Sequence, residues 1–119
     1  MLRDALQGDR QAFGQRIAQL FCYLMETKQS YETLLDMVRV SASESQAAEI
    51  MKQFIELNLL APMTEYIGGP DAGLRASLIG AQLVGVLVAR YIVKLEPLAS
   101  ANLDEVATII GPIIQKYIR

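Results

Sequence analysis

The chain has 119 residues, is 52% hydrophobic and 20% charged, and carries a net charge of -2 with no histidine. That length suits one globular domain burying roughly two-thirds of its unfolded surface, and the near balance of charge offers no field to gather a polyanion such as nucleic acid. A single cysteine, Cys22, excludes an intramolecular disulfide framework and any Cys-rich metal site, which fits a reducing compartment.

From Met1 to Arg10 apolar and charged residues alternate without the apolar run of a signal peptide, so a cytoplasmic location is expected. Leu2 to Leu6 read as the end of an earlier helix. Phe13, Ile17, Leu20, Phe21 and Leu24 recur at spacings of three and four, which predicts a first long helix from about Asp9 to Glu26 with these residues on one face. Ser30 is the candidate cap of a shorter second helix that turns Leu34, Leu35, Val38 and Met37 inward and ends at the serine-rich break Ser41 to Ser45. Ser41 with Glu44, and Ser43 with Gln46, both have capping-box spacing and start a third helix through Ile50, Met51, Phe54, Ile55 and Leu57. Pro62 interrupts or restarts the helical hydrogen bonding, and Gly68-Gly69-Pro70-Asp71 stops one helix and caps the next.

A long fourth helix follows over about Ala72 to Lys94, then a linker, Leu95 to Ala101, that Pro97 closes. Asn102 with Glu105 caps a last helix reaching nearly to Arg119, and so short a linker makes the two helices antiparallel neighbours. The expected fold is one all-α domain of five main helices without internal repeats. The longest apolar stretch, Ala76 to Ala89, falls short of the roughly 18 to 20 residues a membrane span needs and reads as a buried helix, so no membrane partner is expected.

On the last helix Val106, Ile109, Ile110, Ile113, Ile114, Tyr117 and Ile118 occupy about half the circumference, opposite Asp104, Glu105, Thr108, Gln115, Lys116 and Arg119. The fourth helix is apolar almost all round: Arg75, Gln82 and Arg90 share their sector with Ile79, Leu83, Val86 and Val93, and Ala81, Gly85 and Ala89 form a row of small residues. One side of such a helix can use the intramolecular core while the other needs further cover. The expectation is a twofold homodimer whose last two helices make a four-helix bundle, with Leu78, Leu83, Val86, Arg90, Ile110, Ile113, Ile114 and Tyr117 at the interface. A central core helix in a monomer is the competing arrangement.

The run Gly69-Pro70-Asp71-Ala72-Gly73-Leu74-Arg75-Ala76-Ser77-Leu78 leading into Ala81-Gln82-Leu83-Val84-Gly85 resembles the C-terminal domain of tetracycline-repressor-like (TetR family) transcription regulators. The likeness continues through Ala89-Arg90-Tyr91-Ile92-Val93 and Leu95-Glu96-Pro97-Leu98-Ala99-Ser100, while Gly14 to Leu24 and Ser43 to Pro62 are similar more loosely. The resemblance implies a bacterial repressor whose helical core binds a small, mostly apolar effector and whose last two helices form the dimer. It also implies an amino-terminal helix-turn-helix domain that contacts operator DNA in a full-length protein. The sequence has no room for such a domain ahead of Asp9, so a fragment supplying the sensing and pairing half, without DNA contact of its own, is expected.

A candidate effector pocket lies between the first, third and fourth helices, where Phe13, Ile17, Phe21, Met51, Phe54 and Ile55 converge on Gln82 or Val86. Packed core is the competing account of the same residues, as it is of Met25, Met37, Met51 and Met63. Arg90 can pair across the dimer or with Glu96, or stay a solvated rim charge. No catalytic set is expected, because Cys22 has no imidazole to activate it, and no metal or cofactor site is, because no close group of Asp and Glu occurs. Gly68-Gly69 reads as a helix stop and not as a phosphate loop. A stand-alone helical dimerisation or adapter protein without a small-molecule ligand is the alternative function, and an enzyme acting on a lipophilic substrate is a weaker third.

Overall fold

Helices account for every regular element in the computed structural model, which describes residues 2–118 and has no strand among them. They are α1 (Leu2–Ala5), α2 (Phe13–Leu24), α3 (Lys28–Ser41), α4 (Gln46–Ile55), α5 (Ala61–Ile67), α6 (Ala72–Tyr91) and α7 (Leu103–Gln115). Single 3-10 turns at Arg10–Ala12 and Leu98–Ser100 precede α2 and α7, and a π-helical turn at Glu56–Leu60 joins α4 to α5. The last helix stops at Gln115, short of the expected end, and Arg119 lies outside the described residues.

Local chemistry sets the boundaries. Asp9 accepts the Gln11 amide and so begins a 3-10 turn, which delays the first long helix to Phe13. Thr27, not Ser30, caps α3, its hydroxyl accepting the Ser30 N–H at 3.2 Å. Among the serines before α4 the cap is Ser45, whose backbone is extended and whose side chain accepts the Ala48 N–H at 3.1 Å. Gly68 and Gly69, at φ 72° and 94°, end α5 in a conformation that side chains with a Cβ resist. Asp71 stands at the start of α6, but its carboxylate takes Arg75 at 3.0 Å. Lys94 occupies the left-handed region (φ 59°) just past α6, where the Leu95 N–H reaches back to the Ala89 carbonyl at 2.9 Å.

Residues 46–67 run as one continuous helical rod in spite of Pro62. Proline has no amide to bond the preceding turn, and the rod absorbs this by widening just upstream, the Ala61 N–H bonding the Glu56 carbonyl. The widening adds one residue to the helical phase. The inward residues Ala48, Met51, Ile55, Leu60, Met63 and Ile67 therefore step by three, four, five, three and four, the five falling on the π turn.

The tightest crossing in the fold is between α2 and α7. Gly14 and Gly111 meet there: a Cβ on Gly14 would strike the Gly111 carbonyl and lie 2.6 Å from the Gln115 amide, and one on Gly111 would strike the Gln15 side chain. Ala12, before α2, gives no side-chain cap. Gln115 replaces it from across the crossing, accepting the Gly14 N–H at 2.7 Å and donating to the Arg10 carbonyl at 3.0 Å. Gln115, expected on the water-facing half of the last helix, is thus a half-buried strut. Phe13, Ile17, Met25, Leu35, Ile79, Leu87 and Ile114 centre the core.

The ends of α6 and α7 are tied in antiparallel sense, Arg75 donating to the Tyr117 carbonyl at 3.2 Å and Arg90 to the Ala101 carbonyl at 2.8 Å. Arg10 holds the end of α5 through the Tyr66 and Ile67 carbonyls at 2.9 and 3.0 Å, and Tyr91 holds the end of α2 through the Met25 carbonyl at 3.0 Å. Phe13 stacks on Tyr66 with ring centroids 4.7 Å apart, under the Arg10 guanidinium.

Three consequences can be measured. Gly14→Ala forces the α2 and α7 backbones apart and should lower the unfolding free energy by about 2 to 3 kcal/mol in urea titration. Gly80→Ala, where the added carbon meets Leu60 at an ordinary 4.0 Å, should raise it by about 0.5 to 1 kcal/mol. Burial pushes the Cys22 thiol up against a smaller opposing pull from Arg90, with Asp104 and Glu26 adding to the rise. Its thiolate is therefore disfavoured only in the folded chain, so stability should fall as pH rises past the unfolded thiol's value near about 8.5, and Cys22→Ala should flatten that fall.

Candidate functional site

α6 divides cleanly into two faces. Ala72, Ala76, Ile79, Val86 and Leu87 are buried in the chain's own core. On the opposite side Leu74, Leu78, Ala81, Val84, Gly85 and Ile92 are exposed, with Leu74 at 63%, and no charged residue lies among them. α7 adds Ile109, 61% exposed, with Ile113 and Pro112. Gly85 opens this face further, since a Cβ there would meet nothing within 4 Å. An uncharged apolar helix face of this kind is suited to burial against another apolar surface.

The residues expected at an interface divide between the two sides. Leu78 and Ile113 point outward, whereas Val86, Ile110 and Ile114 are buried within the protomer and Leu83, Arg90 and Tyr117 are half-buried against it. Arg90 does not pair with Glu96: its guanidinium donates to the Leu98 and Ala101 carbonyls at 2.7 and 2.8 Å. Glu96 instead accepts the Ser100 N–H at 2.9 Å and the Ser100 hydroxyl. Leu74, Val84, Ile92 and Ile109 are the outward residues that sequence reasoning left out.

The expected effector-binding residues are dispersed. Phe13, Ile17 and Val86 belong to the packed core, Phe21 and Gln82 are half-buried, and Met25 and Met63 are core as well. Of the other helices α4 packs chiefly on α3, so Met51 and Ile55 are half-buried and Phe54 is 50% exposed. Two open clefts are present, and Ile55 alone of the expected set borders one of them. One of about 440 Å³ between the end of α3 and α4 is bordered mainly by serines and charged residues, with Ile55 and Leu60 at its base. The other, about 650 Å³, lies between α3, the end of α6 and the linker after it, and contains Tyr31, Tyr91, Lys28, Arg39, Arg90 and Lys94 among its walls.

Among the described residues no group of three or more Cys, Asp or Glu side chains is placed to hold a metal. α6 is longer than the apolar stretch apparent in the sequence and by length and composition alone could cross a membrane. Its two arginines are bonded to Asp71, Tyr117, Leu98 and Ala101 of the same chain, and its core face packs on α5 and α3, which makes it one wall of a helical domain.

No curated protein matches the chain. It is similar to a solved TetR-family regulator from Streptomyces coelicolor A3, with 28% identity and a TM-score of 0.55 over 96% of this chain and 75% of that one. Residues 11–118, from the 3-10 turn before α2 to the end of the described chain, match the family model of the tetracyclin repressor-like C-terminal domain. With its helices in the order and packing described, the chain belongs to the family of tetracyclin repressor-like C-terminal domains.

Proposed function

We propose that the chain is the effector-sensing and dimerisation half of a TetR-family repressor, and that it pairs with a second copy through the outward faces of α6 and α7. The uncovered apolar face Leu74, Leu78, Ala81, Gly85 and Ile92 carries this reading, because it lies opposite the core and holds no charge. In a 21 Å thick slab with few layers, a helix apolar on both sides has no second internal surface to cover it. The row Ala81, Gly85, Ala89 lets two backbones approach closely, and a twofold axis through it gives a self-complementary contact. The effector is a small organic molecule with a substantial apolar part, and it acts by preferring one arrangement of the dimer over another. In a full-length regulator that preference reaches operator DNA through a helix-turn-helix domain.

An adapter that pairs without a ligand is the second reading, and the dense packing around Phe13, Ile17 and Val86 is what favours it.

Sedimentation equilibrium over a wide concentration range tests the pairing. The chain should sediment near twice 13.1 kDa. Gly85→Gln and Leu78→Glu should each weaken association by roughly a hundredfold or more while leaving the helical circular dichroism unchanged, since Gly85 faces open space and Leu78 lies outside the buried core. A persistent 13 kDa species at high micromolar concentration, or variants that pair as well as the parent, would overturn the proposed interface.

A further inference from the structure

Along α3, Lys28, Tyr31, Glu32, Leu35 and Arg39 recur at helical spacing and form a single stripe. That stripe faces Arg90, Tyr91 and Lys94 at the end of α6 and Glu96 and Ala99 beyond it, across the cleft of about 650 Å³. The volume is within the ordinary range of small-molecule sites. Part of its wall is aromatic and apolar. Tyr31 and Tyr91 stack at 4.1 Å with planes 10° apart, Arg90 lies over Tyr91 at 5.4 Å, and Leu35 is buried beside them.

The charges around this wall do not cancel. Four cations border the cleft against two carboxylates, and both carboxylates are already engaged. Glu32 lies 3.7 Å from Arg39, which also takes Asp36 at 3.0 Å, and Glu96 is taken up by Ser100. Lys28 and Lys94 have no ion pair among the described residues, and the buried Nε of Arg90 has no hydrogen-bond partner. Lys94, moreover, sits in the left-handed region where glycine would be unstrained. A lysine at that position costs the fold conformational energy and places an unneutralised ammonium on the cleft wall.

We propose that this cleft is a binding site for a small organic anion with an aromatic or otherwise flat apolar body, such as an aryl carboxylate. The apolar part lies against the Tyr31 and Tyr91 pair, and the anionic group meets Lys28 and Lys94. This rests on the reading of the chain as a sensing domain and names the chemical class of its effector; the site is walled by α3, α6 and the linker, apart from the apolar set around Phe54.

Isothermal titration calorimetry with 2-naphthoate as probe, and 2-naphthamide as its uncharged counterpart, tests the proposal on the whole chain. Naphthoate should bind with an affinity at least roughly tenfold above naphthamide, and Lys28→Gln combined with Lys94→Gly should remove most of that difference. The second substitution relieves the left-handed strain, so a thermal melt should show an undiminished midpoint. Equal affinities for the two probes, naphthoate binding unaltered by the double substitution, or no naphthoate binding at millimolar concentration would each overturn the proposal. Sedimentation of the same samples separates the two readings. A dimer that ignores naphthoate removes the anion site and leaves the pairing, whereas a monomer that binds it with the expected lysine dependence removes the pairing and leaves the site.

Discussion

The backbone contact between Gly14 and Gly111 is the constraint on which the rest of the arrangement turns. Because neither residue carries a Cβ, α2 and α7 cross at a distance other residues would prevent, and Gln115 comes within reach of the uncapped start of α2. α7 spends its strongest face, Val106, Ala107, Ile110 and Ile114, on α2 and the core. Once that pairing is made, the far side of α6 and the Ile109 edge of α7 have no partner inside the chain. The chain's interior and the apolar face it leaves uncovered are both tied to this one steric fact.

A second layer of organisation consists of side chains that hold helix ends. Arg10, Arg75, Arg90 and Tyr91 each donate to carbonyls near or beyond the last turn of a helix or to the linker; all but Arg90, which reaches the adjacent linker, join elements far apart in sequence. Terminal carbonyls lack intrahelical donors, and a guanidinium supplies several in fixed geometry as well as a charge that suits the negative helix end. This explains how arginines can sit within or beside an apolar helix without carboxylate partners for each of them. It also sets the wall of the cleft beside Tyr91, since the bonds to Leu98 and Ala101 determine where Arg90 lies.

Much of the architecture was legible in the sequence where a pattern had a phase. The three-and-four spacing of Phe13, Ile17 and Leu20 located α2, and the Gly68-Gly69 stop and the Asn102 cap located the ends of their helices. The all-α class and the family resemblance over Gly69 to Ser100 agree with the fold and with the family match. Phase is what α6 lacks. A helix apolar on every side does not reveal which side is inward: Val86, expected at an interface, is buried on the core face that the small residues Ala72 and Ala76 mark, while Leu83 and Arg90 are half-buried. The serines before α4 have equal capping chemistry, but the Ser41 and Ser43 hydroxyls bond back to the Met37 and Val40 carbonyls, and Ser45, with its extended backbone, caps the helix. The Lys28 to Arg39 stripe looks like an ordinary solvated helix face until the end of α6 is seen against it.

The π turn in the rod from Gln46 to Ile67 has a bearing on how this chain is compared with others. Its inward residues keep step only because one extra residue is accommodated between Ile55 and Leu60. A homologue whose rod is α-helical throughout needs a one-residue gap at that point for equivalent positions to be superposed. An ungapped alignment would be correct from Met63 onward and would match inward with outward positions over the whole of α4, so similarity there would be underrated for a reason of geometry and not of ancestry.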